Sequence, residues 1–216
     1  MDISRINLTM EALEKRGMNA VYVKTKEEAR AMVETLLGEG DTVSHGGSVT
    51  LTECGITELL ANGKYNYLDR LKATGNSGID ALYRKVFSAD VFLTSSNAIT
   101  EKGELYNVDG NSNRVAAMLY GPKKVIVVAG VNKIVKDIAE AVKRVKEKAA
   151  PMNCVRLSRN TYCSEKGMCV SLDNGEADFC AGCTSEDRIC CNYVVMSTQR
   201  VKGRVTVIIV GEELGY

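Results

Sequence analysis

Thr42-Val43-Ser44-His45-Gly46-Gly47-Ser48-Val49-Thr50-Leu51-Thr52-Glu53 is the stretch that decides the architecture. Thr42 to Ser44 reads as a strand, and it runs through a glycine pair and a serine into a helical pattern that continues to about Ala61. A strand that passes through a glycine turn into a helix is the repeating unit of an α/β sheet. In such sheets ligands sit in the crevice beyond the carboxyl ends of the strands. Gly46 and Gly47 let backbone approach a ligand, Ser48 and Thr50 add hydroxyls, and the N–H groups opening the helix favour an anion. Neither a Walker lysine nor a dinucleotide-binding spacing is present, so a plain tight turn stands as the alternative. His45, the only histidine, excludes a multi-histidine metal site; it is either a catalytic group or a strand-end residue.

The alternation continues on both sides. Ile3, Ile6, Met10 and Leu13 recur at spacings of three and four, which predicts a helix over 2–16 ended by Gly17. Ala20 to Val23 is a short apolar run. Thr25 then caps a second helix, with Glu28 as its capping-box partner. Downstream, a short strand falls near Tyr65 to Leu68 and a helix over Ile79 to Phe87. Asp90 to Thr94 is strand-like and ends in the polar turn Ser95-Ser96-Asn97. A hairpin over Ile99 to Val108 turns at Lys102-Gly103, and Arg114 to Tyr120 suits a short helix. Val125 to Ala129, β-branched and uncharged, has the composition of a strand buried on both faces. An amphipathic helix is predicted over 133–148, with Ile134, Ile138, Ala141, Val142 and Val145 inward. Tyr193 to Met196 and Val205 to Val210 read as strands that return the chain to the main sheet. The fold class is therefore α/β, a Rossmann-like and mostly parallel sheet flanked by helices, in a single domain over 1–216.

Composition narrows the function classes. Twenty-eight Lys and Arg against 27 Asp and Glu leave a formal charge of +1, which removes the electrostatic case for a general nucleic-acid binder. An apolar content of 45% with so little net charge argues against disorder. The longest apolar stretch, about Val125 to Val131, is far short of the roughly 20 residues of a membrane span. The opening Met-Asp-Ile-Ser-Arg-Ile-Asn has no secretory pattern, so a cytoplasmic setting with reduced thiols is expected. Six of the eight cysteines, Cys163, Cys169, Cys180, Cys183, Cys190 and Cys191, crowd into 29 residues and form a cysteine-rich insertion of about 159–191 near the C-terminus. Its stretch from Cys163 to Cys191 holds six acidic residues against two basic ones, a charge of −4. Cys54 and Cys154 lie elsewhere and read as small apolar fillers.

Polar residues collect where the predicted strands end. Asn97 places an amide over the crevice, and Glu101, Glu104, Asp109, Asn111, Asn113 and Arg114 follow in a run between two apolar strands. An arginine there can clamp a carboxylate or phosphate bidentately, and a carboxylate can act as base or nucleophile. Solvated hairpin residues are the alternative for any one of them.

Three motifs carry a family resemblance: Gly46-Gly47-Ser48-Val49-Thr50-Leu51-Thr52-Glu53-Cys54-Gly55, Asn97-Ala98-Ile99-Thr100-Glu101-Lys102-Gly103-Glu104-Leu105, and Asp109-Gly110-Asn111-Ser112-Asn113-Arg114-Val115-Ala116. Val125 to Val128, followed by Gly130, Asn132 and Lys133, completes the pattern over roughly residues 40 to 140. The chain resembles the LUD-domain family, the bacterial lactate-utilisation proteins. The resemblance implies a fold like that of ribose-5-phosphate isomerase and CoA transferases. It also implies a pocket for a small anion (carboxylate, phosphate or CoA-like) formed by Gly46, Gly47, Ser48, Thr50, Asn97, Asp109, Asn113, Arg114 and Lys133. Glu53, Glu101 and Glu104 are the candidate catalytic carboxylates, with no catalytic pair singled out and the oligomeric state open.

Relatives of this length carry a motif resembling C-x5-C-x2-C-x6-C. Cys163-x5-Cys169 and Cys180-x2-Cys183-x6-Cys190 reproduce both halves, but Val170 to Phe179 separate them. The preferred metal set is Cys163, Cys180, Cys183 and Cys190, with Cys169 as substitute for one position. The family's redox association favours an iron–sulfur cluster; zinc, or no cofactor and free thiols, are the alternatives. Two functions follow for test: a small-carboxylate binder or enzyme, or a metal-carrying accessory subunit of an iron–sulfur oxidoreductase.

Overall fold

The computed structural model describes residues 2–176 and 178–216; Met1 and Ala177, the latter inside the cysteine-rich insertion, lie outside the described residues. In chain order the elements are α1 (Ile3–Lys15), β1 (Asn19–Val23), α2 (Lys26–Leu36), β2 (Thr42–His45), α3 (Val49–Glu53), α4 (Ile56–Leu60), β3 (Asn66–Tyr67), α5 (Gly75–Val86), β4 (Val91–Thr94), β5 (Ala98–Thr100) and β6 (Leu105–Asp109). They continue as α6 (Asn113–Leu119), β7 (Lys124–Gly130), β8 (Ile134–Val135), α7 (Ile138–Arg144), α8 (Ala150–Arg156), α9 (Tyr162–Lys166), α10 (Val170–Asp173), β9 (Asn192–Met196) and β10 (Val205–Val210).

Six strands form one parallel sheet in the order β1-β10-β7-β4-β2-β3. Its centre is β7, where Val125 to Ala129 are fully buried. Alternate residues of β7 feed two cores. Val125, Val127 and Ala129 pack with Ile6 and Leu13 of α1 and Met118 of α6, while Ile126 and Val128 pack with Val33 of α2 and with Leu51, Leu59 and Leu60 of α3 and α4. Burying each Val or Ile side chain is worth about 1.5–3 kcal/mol, and that is why this uncharged run takes the middle of the sheet.

Four departures from the sequence-based expectations have physical causes. The helix predicted over Val49 to Ala61 is two short helices, because Gly55 adopts a left-handed φ of 64° between them. The helix predicted over 133–148 starts late. Ile134 and Val135 instead form a strand parallel to Ile99 and Thr100, and the Asp137 side chain caps α7 through the Glu140 N–H at 3.1 Å. Past Arg144 the helical chain passes through a wide π turn, Val145–Ala149, just before Pro151, which has no N–H to donate.

Tyr193 to Met196 do not join the main sheet. They pair antiparallel with β6 in a second sheet, ordered β8-β5-β6-β9. The strand is apolar on both faces: Val194 and Met196 pack on the core beside β7, and Tyr193 packs on a third core under α7. Only β10 returns to the parallel sheet. The hairpin between β5 and β6 falls where the sequence put it, and Gly103 is required at its turn, since a Cβ there would lie 2.6 Å from the Ala12 backbone of α1.

Candidate functional site

The carboxyl ends of the adjacent strands β7, β4 and β2 open into one cavity of about 430 Å³. Each strand end delivers a polar segment to it: Gly47 to Thr50 after β2, Thr94 to Asn97 with β4, and Lys133 after β7. Arg70, which follows β3, enters from the sheet edge. The opposite wall is Asn153, Arg156 and Arg159 from α8 and the loop behind it, together with Glu186 to Cys191 of the cysteine-rich segment. Six basic side chains (Arg70, Arg114, Lys133, Arg156, Arg159, Arg188), five of them arginines, therefore line the cavity against three acidic ones (Asp109, Glu186, Asp187). That excess sets a positive field in a concave space, a setting that favours an anion.

The turn itself works differently from the sequence-based expectation. Ser48 caps α3 through the Leu51 N–H at 3.3 Å, and α3 is only five residues long. A helix this short sums few peptide dipoles, so side chains rather than the helix end supply the cationic character of the site. Gly46 is required for a related reason, and Gly47 lets the free end of Arg70 lie close. A Cβ on Gly46 would lie 2.9 Å from Arg114 Cδ, and one on Gly47 would lie 3.1 Å from Arg70 Nη1. The two glycines let two arginines cross the turn at close range.

Arg114 is largely buried, its side chain 14% exposed, and all five of its N–H donors are engaged within the protein. Nε donates to Asp109 Oδ2 at 3.1 Å, Nη1 to Asn107 Oδ1 at 2.7 Å and to the Ser95 carbonyl at 3.3 Å. Nη2 donates to Asn97 Oδ1 at 3.2 Å and to the Val108 carbonyl at 2.9 Å. Burial lowers its pKa and the Asp109 carboxylate opposes that shift. Arg114 thus fixes Asp109, Asn97 and the Ser95 backbone and lends its charge to the cavity, but its donors are not free to clamp a ligand. Arg70, half-buried, makes no hydrogen bond or ion pair among the described residues. It is the guanidinium left open to one, and the sequence reading missed it. Its place just after a short parallel strand was the available signal.

Lys133 is 3% exposed. Its Nζ donates to Thr50 Oγ1 at 2.8 Å and to Ser95 Oγ at 2.9 Å. Burial, then the charges of Arg144 and Arg114, push its pKa down to about 7 against weaker opposing effects of Glu53 and Cys54. Asn113, the first residue of α6, also lines the cavity.

The three carboxylates offered as catalytic lie outside this cavity. Glu53 accepts from the Gly215 N–H at 2.7 Å. Glu101 pairs with Arg5, and Glu104 pairs with Arg16 at 2.8 Å, so both brace the β5–β6 hairpin against α1. His45 is a strut: its ring nitrogens contact the Gly46 carbonyl and the Tyr67 hydroxyl, each at 2.7 Å, and burial lowers its pKa.

The cysteine-rich segment divides its sulfurs. Cys163, Cys169, Cys183 and Cys190 line one small apolar cavity, together with Tyr106, whose fully buried hydroxyl has no hydrogen-bond partner among the described residues. Cys180 and Cys191 are exposed. Cys154 is buried, and its Sγ lies 3.6 Å from that of Cys163; this contact holds the Cys163 thiol below its ordinary pKa against the effect of burial. Among the described residues no group of three or more His, Cys, Asp or Glu side chains has a metal-holding arrangement. Arg188 organises the loop, donating to the carbonyls of Cys190 (2.8 Å), Cys183 (2.8 Å) and Cys180 (3.1 Å) and to the Tyr193 hydroxyl (2.9 Å). Cys190 and Arg188 border both cavities, so the sulfur-lined space and the strand-end cavity share a wall.

Among the described residues no helix is long and apolar enough to cross a membrane. No curated protein sequence matches this chain. Among solved structures, a DUF162 family protein from Deinococcus radiodurans superimposes with a TM-score of 0.56 at 15% identity, covering 97% of this chain and 98% of that one, a likeness of fold. Ribose 5-phosphate isomerase A from Methanocaldococcus jannaschii matches 63% of this chain and 57% of its own at 13% identity, with a TM-score of 0.33 that carries no argument. The LUD domain model matches residues 6–210, nearly the whole chain, and the chain belongs to the LUD-domain family.

Proposed function

We propose that this LUD-domain protein binds a small organic anion, a carboxylate, phosphate or CoA-like group, in the strand-end cavity, and that it serves the use of lactate or a related small carboxylate in the cytoplasm. One observation carries the reading: Arg70, with no partner among the described residues, stands beside Gly47 in a cavity whose basic side chains outnumber its acidic ones six to three. Buried anion sites are built this way, with one free fork-shaped donor and fixed neighbours that set the field. The lactate association rests on family membership. Lactate, pyruvate, CoA esters and sugar phosphates are each titrated while the melting temperature is followed. At least one class is expected to raise it, because a ligand that binds only the folded chain stabilises by mass action. No shift with any of them contradicts the reading.

A second reading has its own observation, the four sulfurs around one apolar cavity and the Tyr106 hydroxyl without a partner among the described residues. It makes the protein a metal-carrying accessory subunit docked on an iron–sulfur oxidoreductase. Cys163, Cys183 and Cys190 would hold the group, with Cys180 or its substitute Cys169 as the fourth ligand; of these two, Cys169 lines the cavity and Cys180 is exposed. Four thiolates suit either an iron–sulfur cluster, which would supply electron transfer, or zinc, which would brace the loop. Anaerobic purification, iron and zinc analysis and an absorption spectrum test it. A colourless protein with neither metal removes the reading, and co-purification with an iron–sulfur subunit supports the accessory role.

A further inference from the structure

Two lysines of this chain are buried in polar surroundings, and they differ in a way that bears on chemistry. Lys146 is 5% exposed and donates to the Asp178 carbonyl at 2.6 Å and to Ser171 Oγ at 2.9 Å. A carbonyl lone pair compensates an ammonium well. Lys133 has only the hydroxyls of Thr50 and Ser95, accepts no help from a carboxylate among the described residues, and sits near Arg114 and Arg144. It also lines the 430 Å³ cavity, on a turn fixed by the Val131 N–H to Glu212 carbonyl bond of 3.1 Å. A lysine desolvated beside other cations is the arrangement that makes an amine nucleophilic.

We propose that Lys133 is a nucleophilic amine that forms an imine with the carbonyl carbon of a 2-oxo carboxylate held in the strand-end cavity. The inference rests on the anion-binding reading for the ligand's carboxylate, and on its own observations for the amine. Arg70, for the carboxylate, and the Lys133 amine, for the carbonyl, line the same cavity. In the neutral state the two N–H bonds of Lys133 point to the Thr50 and Ser95 oxygens, which leaves the nitrogen lone pair as the remaining position. That lone pair attacks the carbonyl carbon. The new C–N bond forms as the carbonyl π pair moves to oxygen, which takes up a proton. The oxygen then leaves as water while nitrogen gives up its protons, so amine and carbonyl become imine and water with no oxidant or reductant. Ser95 is the proton carrier suited to this step. Its own hydroxyl donates only over 3.5 Å, to the Ser96 carbonyl, and is free to turn towards the departing oxygen. Thr50 is committed to the Leu214 carbonyl at 3.3 Å and holds the amine in place. With its pKa near 7, Lys133 offers a large neutral fraction at neutral pH, where an ordinary lysine offers about one part in a few thousand.

The test uses the full chain, with pyruvate and 2-oxoglutarate as carbonyl acids, lactate as an acid without a carbonyl, and acetaldehyde as a carbonyl without a charge. Borohydride is added, the modified lysines are located by peptide mapping, and the melting temperature is followed in parallel. The expected result is a reduced adduct of the 2-oxo acid on Lys133 at least about tenfold above Lys146 and the surface lysines. Lactate should compete with it, and Lys133→Arg should abolish it. A raised melting temperature with no adduct at Lys133 overturns the imine and leaves the anion site standing. Labelling of Lys133 by acetaldehyde as readily as by pyruvate keeps the amine but overturns the anion site. Neither a shift nor an adduct overturns both.

Discussion

The strand-end turns and the cysteine-rich segment face each other across one cavity, and they are built in opposite ways. On the sheet side, three adjacent parallel strands end together, and Arg114 ties Ser95 and Asn97, which follow β4, to Asn107 and Asp109 of β6. On the other side, short helices and loops carry half-exposed thiols, and one guanidinium, that of Arg188, holds the loop through backbone carbonyls. Both walls are organised by an arginine. The difference is burial: Arg114 is locked into the core with a carboxylate, while Arg188 fastens a surface flap. The first wall is therefore expected to unfold only with the whole fold, and the second to open locally.

The largest way to break that contrast is Arg114→Ala. It leaves Asp109 buried without its cation, and a loss of about 3–5 kcal/mol in urea unfolding is expected; a loss below about 1 kcal/mol would mean that the sheet-side wall is not part of the core. The next effect is a pH dependence. The folded-state pKa of Lys133 is depressed to about 7, so between about 7 and the ordinary 10.5 the unfolded chain binds a proton that the folded chain does not. Stability therefore rises with pH across this window, by up to roughly 1.4 kcal/mol per unit. Unfolding curves at about pH 6 and about pH 9 should show a rise in the native protein that is flattened in Lys133→Met.

The flap should respond less and locally. Arg188→Ala is expected to cost about 1–2 kcal/mol in hydrogen-exchange protection over Cys180 to Cys191, with protection at Gly46 to Ser48 unchanged. Equal loss on both sides would make the two walls one cooperative unit. Smallest of all is Tyr106→Phe. Its hydroxyl is buried without a partner among the described residues, so in metal-free protein the substitution should be neutral or stabilising by up to about 1 kcal/mol; a clear loss of stability would reveal a partner for that oxygen.

The same contrast explains what was legible in the sequence. Val125 to Ala129, Thr42 to Ser44 and Asp90 to Thr94 announce themselves because central parallel strands are short apolar runs, and their ends then point to the polar turns. Lys133 came into the pocket set through the family resemblance alone, and the segment after it was not legible as a strand. Ile134, Ile138 and Val142 keep a helical spacing, so the strand Ile134–Val135 looked like the start of a helix, and the cap at Asp137 was the local signal that it was not. Tyr193 to Met196 read correctly as a strand and wrongly as part of the main sheet, since pairing partners depend on distant residues such as Leu105 to Asp109. The fate of Arg114 was out of reach for the same reason: its charge is visible in the sequence, but its acceptors come from four separate positions, Ser95, Asn97, Asn107 and Val108, besides Asp109. Arg188, which gathers the carbonyls of Cys180, Cys183 and Cys190, is invisible to any count of cysteine spacings.

The central claim is that the strand-end cavity is an anion site gripped by Arg70 and framed, rather than gripped, by Arg114. Calorimetric titration of the most stabilising anion into native protein and Arg70→Ala tests it most directly. An affinity lower by about tenfold or more in the variant, with unfolding stability unchanged within about 0.5 kcal/mol, is the predicted result. Equal affinity in the two proteins would contradict it.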